Sequence, residues 1–287
     1  MIVTIPGTSG RNRGRATSFL VTKKRLELIE MNHRRIAYVA TLLTATAFSA
    51  ATHADKQVIA GAGPSTKVIQ LFVDKFSSDP AATGIEFEVP PRSAKHAGGI
   101  KASSKYVFGR TGRPLNAKEK GMNKGEILLA RIPIAFASGT GVNVSSLSLS
   151  QLEELFTGKI TDWTSVGGSG GKVVLVGREP TEALFTVLKK SYPFFRKARF
   201  AKIFKKDHQV VKFLQSPQGA NAIAFGALPN FKEVNIVEVD GFAAGVAVGL
   251  VYDLKNSEHD LVKSAQMFAS TPKWTVAVQQ NGLLAPE

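Results

Sequence analysis

The sequence predicts an α/β protein with room for two packed lobes, and three observations carry that prediction. The chain has 287 residues, 44% hydrophobic, 21% charged and 8% aromatic, which are globular proportions and enough length for two cores. Strands repeatedly deliver glycine-rich loops to helices, the layout in which ligands gather beyond the carboxyl ends of strands. An apolar run at 127–138, ILLARIPIAFAS, leads into the Ser/Gly/Thr-rich SGTGVNVSSLSLS and reads as a buried strand crossing from one lobe to the other.

Residues 1–54 stand apart. From Met31 a basic start (His33, Arg34, Arg35), an apolar stretch at 36–51 and small residues at Thr52 and Ala54 have the layout of a secretory signal peptide over 31–54. The stretch is too short and too rich in Ala and Thr to span a bilayer, which takes about 20 apolar residues, and no later segment qualifies. Residues 1–30, with Arg11, Arg13, Arg15, Lys23, Lys24 and Arg25, read as an upstream extension, translation starting at Met31; a basic N-terminal arm is the other reading. The 54 residues hold eight Lys+Arg and two Asp+Glu, which lowers the formal charge from +15 for the chain to +9 for 55–287. That balance suits an anionic ligand or surface without selecting one. Zero Cys excludes a disulfide framework, a thiolate zinc site, a cysteine nucleophile and a lipid-modified cysteine.

QVIA at 57–60 is a strand, and GAGPSTKVIQLFVDKF turns tightly into a helix with Val68, Ile69, Leu71, Phe72 and Phe76 on its apolar face. Ser65 or Thr66 stands at the helix start, where a hydroxyl caps free N–H groups and the helix dipole favours an anion. An alternating strand at 85–89 is followed by a loop ending in His96-Ala97-Gly98-Gly99, a short helix, and a strand at 106–108. After the crossing strand, Ser150 and Glu153 have capping-box spacing on a helix with Leu152, Leu155 and Phe156 on one face, stopping at Gly158. KVVLV at 172–176 is a buried strand, and GREPTEALFTVLKK turns into a helix, so Arg178 and Thr181 share a loop. A small-residue helix–strand unit at 216–231, a strand at 234–241, and a tail of helix, break at Pro272, helix, and strand or coil complete the chain.

Phe156 and Trp163 read as core. The basic run RKARFAKIFKK at 196–206 reads as a solvated helix face, not a nucleic-acid patch. Ser138-Gly139-Thr140 lacks an elbow motif and a placed His and Asp, and the five His and the carboxylates show no metal-ligand spacing. No enzyme, metal or cofactor is predicted.

Several stretches in order are similar to the phosphate-binding periplasmic substrate-binding proteins of ABC transporters: GAGPST at 61–66, AGGIKASSKYVFGRTGRPLNAKEK at 97–120, LSLSQLEELFTGKITDWTSVGG at 147–168, VGRE at 176–179 and PQGANAIAFGAL at 217–228. The third, a helix ending Phe-Thr-Gly-Lys-Ile before Thr-Asp-Trp, is the most specific. The resemblance implies a two-lobed type II periplasmic-binding-protein fold with crossing hinge strands, the first lobe at 55–134, the second at 135–240 and a return to the first at 241–287. It implies a monomeric periplasmic receptor, not lipid-anchored, that captures phosphate or a related oxyanion for an ABC permease in the inner membrane. Carried over by position, Ser65 and Thr66 match the first hydroxyl loop, His96 and Gly98 lie in the second, Thr111 and Gly112 match the third, which Arg110 and Arg113 flank, and Arg178 matches the cleft arginine with Thr181 beside it. Converging charge-assisted donors of this kind replace the hydration shell of a buried anion.

Three departures accompany the match. Arg178 is followed by Glu-Pro-Thr-Glu-Ala instead of a Ser-Gly-Thr triplet, and Glu182 either repels an anion from the cleft or complements the helix dipole in solvent. Gly112 stands where phosphate receptors carry an acidic proton acceptor, which leaves phosphate selectivity open. His96 occupies the place of a small hydroxyl residue and either donates to an anion in a pH-dependent way or is a solvated loop histidine. Arg110 and Arg113 either add charge to the site or brace a turn. The alternative function is a divergent sensory or interaction module of the same fold that has lost transport.

Overall fold

The computed structural model describes residues 55–286; the extension at 1–30 and the signal peptide at 31–54 lie outside the described residues. In chain order the elements are β1 Asp55–Val58, α1 Thr66–Phe76, β2 Ile85–Glu88, α2 Lys95–Ala102, β3 Gly109–Thr111, α3 Ala117–Lys120, β4 Lys124–Ser138, β5 Ser146–Ser148, α4 Leu149–Thr157, β6 Val174–Arg178, α5 Ala183–Ser191, β7 Lys202–Phe204, α6 Asp207–Leu214, β8 Ala222–Ala227, β9 Asn235–Asp240, β10 Gly245–Asp253, α7 Asp260–Ala269 and α8 Pro272–Gln280. No helix among the described residues is long and apolar enough to cross a membrane.

The fold is α/β with two lobes, and β4 makes the crossing. Its residues 124–133 pair antiparallel with β10, and from Ile134 it leaves β10 and pairs with β8 and then β9. Pro133, which has no N–H to give a ladder, sits at the change of partner. The large sheet runs β3-β10-β4-β8-β6-β7, and β1 and β2 form a separate parallel pair. One continuous hydrophobic cluster holds two groups of aromatic rings, one from each lobe. In the first, the Phe72 ring lies 5.1 Å from Phe76, 5.6 Å from Phe268 and 5.3 Å from Trp274. In the second, Phe136 lies 5.8 Å from Phe156, 6.0 Å from Phe195 and 5.0 Å from Phe242. Both tryptophans are fully buried, and each indole N–H finds a carbonyl, Trp163 on Asn221 and Trp274 on Leu129, as buried indoles require.

Several boundaries differ from the sequence reading. His96, Ala97, Gly98 and Gly99 lie inside α2, not in the loop before it. The strand expected at 106–108 begins at Gly109, because Arg110 joins the sheet by pairing with Leu250. The capping box of α4 is Ser148 with Gln151, not Ser150 with Glu153: Ser148 is extended and accepts from Gln151 N, while Ser150 already lies in the first turn. The 196–206 run is no helix; a short turn Pro193–Lys197 leads into edge strand β7. Pro272 opens α8 behind a Thr271 cap, the position where proline is tolerated best. Strand β10, central to the first lobe, had no counterpart in the sequence reading.

Candidate functional site

Three chain segments of the first lobe converge on the backbone of Arg110. The Arg110 N–H donates to Ala60 O at 2.9 Å and its carbonyl accepts from Ala62 N at 3.3 Å, stitching the loop after β1 to β3. Gly61 (φ +149°) and Gly99 make this approach possible, since a Cβ on either would lie 2.0 and 2.1 Å from Arg110 O. The side chain of Arg110, fully buried, donates from Nε to Ala62 O at 2.9 Å, from Nη1 to Ile59 O at 2.7 Å and from Nη2 to Pro90 O at 2.8 Å. Burial lowers its pKa, and no carboxylate among the described residues pairs with it.

Ser65 does not cap α1. Its backbone is already helical (φ −80°, ψ −6°), so the hydroxyl lies over the preceding turn and donates to Ala62 O at 3.0 Å. Thr66 likewise donates to Gly63 O at 2.8 Å. Both hydroxyl protons are therefore committed to loop carbonyls, and the N–H groups of Gly63 and Ser65 are among those at the helix entry that have no acceptor among the described residues. Thr111 is turned into the sheet, where it donates to Gly249 O and accepts from Gly249 N, both at 3.2 Å. It bridges the irregularity in β10 between Val248 and Gly249 and is unavailable to a cleft.

His96 and Gly112 meet: the Gly112 N–H donates to His96 Nδ1 at 3.3 Å. His96 Nε2 is 3.3 Å from Glu119 Oε1 but off hydrogen-bond geometry, and it has no partner. Burial, helped by Arg113, pushes the His96 pKa down against the pull of Glu119, so the neutral ring matches its acceptor role. Gly98 packs one turn further on, where a Cβ would lie 2.6 Å from that of Ala94. Arg113 braces the turn into α3: it forms a two-pronged pair with Glu119 at 2.8 and 2.9 Å and donates to Pro114 O at 2.8 Å. That pair, with the Asn116 N–H behind it, holds the Glu119 carboxyl down to about 2.

In the second lobe Arg178 ends β6 and is buried. Nε donates to Phe204 O at 3.1 Å, Nη2 to Lys205 O at 2.9 Å, and Nη1 pairs with Asp207 at the start of α6. Burial lowers its pKa, opposed by Glu182 and Glu179. Thr181 is exposed in the same loop. Glu182 is the N-cap of α5, its carboxylate accepting the Phe185 N–H at 2.9 Å, which engages the charge the sequence left open.

The structure thus joins Ser65, Thr66, His96 and Gly112 around one loop cluster and Arg178 with Thr181 in another; among the described residues no hydrogen bond or ion pair links the two groups. A cleft of about 610 Å³ runs between α1 and the turn after β8, with Gly63, Pro64 and Lys67 on one wall and Asn230, Phe231 and Lys232 on the other. Asn230 donates to Asp207 Oδ2 at 2.5 Å, so Arg178 stands behind that wall, one carboxylate away. Lys67, Asp207, Asn230 and Lys232 were not anticipated. Lys67, three residues after the Gly-Ala-Gly-Pro loop closes at Pro64, had a local signal; Asp207 and Asn230 meet across 23 residues and had none.

A model of the PBP superfamily domain matches residues 40–280. No curated protein matches the chain significantly. Among solved structures, a candidate phosphate ABC transporter substrate-binding protein with bound phosphate from Clostridium perfringens has a TM-score of 0.58 at 21% identity, covering 81% of this chain and 100% of that one. An ABC-type phosphate transport receptor from Vibrio cholerae has a TM-score of 0.52 at 16% identity, covering 80% and 99%.

Proposed function

The chain belongs to the PBP superfamily, and from that premise we propose that it is an exported, monomeric receptor that captures phosphate or a related oxyanion between its lobes and delivers it to an ABC permease in the inner membrane. In this reading residues 31–54 are the signal peptide, the lobes are 55–134 with 241–287 and 135–240, and the protein binds its ligand without transforming it. The supporting observation is the pairing of two anion-suited walls: free N–H groups of Gly63 and Ser65 at the start of α1, and Arg178 behind Asn230 on the opposite side of the cleft. Closure follows from physics, because donors on separate lobes contact one anion together only when the lobes approach, and that difference in contact shifts the population.

A second reading, a sensory or interaction module without transport, draws on one observation: Arg113 and Arg178 are both held by carboxylates, and Gly112 N–H is already given to His96. Titration calorimetry separates the two. The protein is unfolded and refolded to strip carried ligand, then titrated with phosphate and with sulfate. Heat with either anion, abolished by Arg178→Ala, supports the receptor; no heat with either supports the module.

A further inference from the structure

The net positive charge of residues 55–287 is concentrated in one segment of the second lobe, 189–212, built around the edge strand of the large sheet. Residues 189–212 contain nine of the 29 Lys+Arg of 55–287 and one of its 20 Asp+Glu, hence +8 of the +9 carried by that whole region. The stretch comprises the end of α5, the turn Pro193–Lys197, the terminal strand β7 of the large sheet and most of α6. Eight of the nine cations are exposed. Among the described residues only Lys205 of the nine has a carboxylate within salt-bridge distance, Glu179 at 4.0 Å, and the lone acid of the stretch, Asp207, is committed to Arg178 and Asn230. Between Lys202 and Lys205 the large apolar Ile203 is 54% exposed. None of the nine lines the cleft.

An edge strand of three residues is guarded against pairing by a lysine or two; this much like charge in one place works against the compact state, so a partner of opposite sign is the economical account. We propose that this edge docks the protein onto an anionic lipid surface. Seven of the nine cations are Lys, compact hydrated charges suited to a diffuse layer of headgroups, whereas fixed carboxylates favour the planar fork of Arg. Of the two arginines, Arg196 is already turned inward onto Lys189 O. An exposed apolar residue among lysines completes the composition of an interfacial contact. The edge would hold the receptor close to the membrane while leaving the cleft open.

The test is co-sedimentation of the protein with vesicles of phosphatidylglycerol and phosphatidylcholine, against vesicles of phosphatidylcholine alone. Lys190, Lys197, Arg199 and Lys212 are exposed and make no side-chain hydrogen bond, ion pair or ring contact among the described residues, so reversing all four to Glu should leave the fold intact, checked by an unchanged unfolding midpoint. Binding to the anionic vesicles is expected to fall at least about tenfold in this variant and to weaken with added salt. A control reversing Lys118, Lys159, Lys172 and Lys255, exposed elsewhere, makes the same change in net charge and should keep most of the binding. Equal loss in both variants, or no preference for anionic vesicles, overturns the proposal; binding to heparin or DNA but not to vesicles overturns it in favour of an anionic polymer. None of these outcomes depends on what the cleft binds.

Discussion

Arg110, in the middle of β3, and Arg178, at the end of β6, are both buried beside a candidate anion loop, and they are satisfied in opposite ways. Arg110 gives all three of its nitrogens to carbonyls, Ala62, Ile59 and Pro90, and keeps its charge uncompensated. Arg178 gives two to carbonyls and the third to Asp207. A guanidinium spent on carbonyls is a brace whose field still reaches the loop it holds; in the proposed receptor, Arg178 would be a binding group whose internal carboxylate partner an arriving anion replaces.

The largest effect should come from Arg110→Met. It strands the buried Ile59 carbonyl and the part-buried Pro90 carbonyl, takes one of two donors from Ala62 O and leaves the loop before α1 held by backbone bonds alone, and we expect a loss of about 3–5 kcal/mol in urea unfolding. Arg178→Met should cost less, about 2 kcal/mol, since the Asp207 side chain is 16% exposed and keeps Asn230. Equal costs would remove the distinction between brace and binding group. Next in size is Asp207→Asn, which takes the charge off the internal occupant. Oxyanion affinity by calorimetry should rise by about tenfold, opposite to Arg178→Ala. A fall in both variants would mean that Asp207 positions the guanidinium and does not compete for it.

The contrast also marks what was legible in sequence. Periodicity found α1, α4 and the crossing strand because Val68, Ile69, Phe72 and Phe76, or Leu152, Leu155 and Phe156, announce their own burial. Family resemblance carried the positions of Ser65 and Arg178. What it could not carry is orientation. Thr111 faces inward because β3 pairs with β10, a strand whose run GVAVGLVYD has no alternation to flag it. Arg113 became a brace because Glu119 lies in the first turn of α3 and reaches back. Asp207 and Phe204, which decide what Arg178 is, come from a different strand and helix, and neighbourhoods of that kind have no local signature. The basic run at 196–206 misled for a related reason: its charges share an edge, not a helix face.

A third arginine sharpens the comparison with the smallest effect. Arg113, like Arg178, is held by a carboxylate, but its partner Glu119 also fastens α3 through Asn116 N, so here the pair is structural and should show itself in the pH dependence of folding. Glu119 falls from 4.5 to about 2 in the folded protein. The unfolded chain therefore takes up its proton first; the pair's stabilisation is complete above pH 4.5 and drains away as pH falls toward 2. Glu119→Gln should cost about 1–2 kcal/mol at neutral pH, less than the full shift because the pair is partly open to solvent, and nothing at the acid end. His96 adds an upper window: its pKa is lowered from 6.5, so the unfolded ring binds a proton the folded one refuses, and stability begins to fall as soon as pH drops below 6.5. Unfolding midpoints measured across pH should thus fall in two stages in the wild type, lose the lower stage in Glu119→Gln and the upper in His96→Gln. If Glu119→Gln leaves the acid profile unchanged, Arg113 is free to act as Arg178 does, and the third loop returns to the list of anion donors.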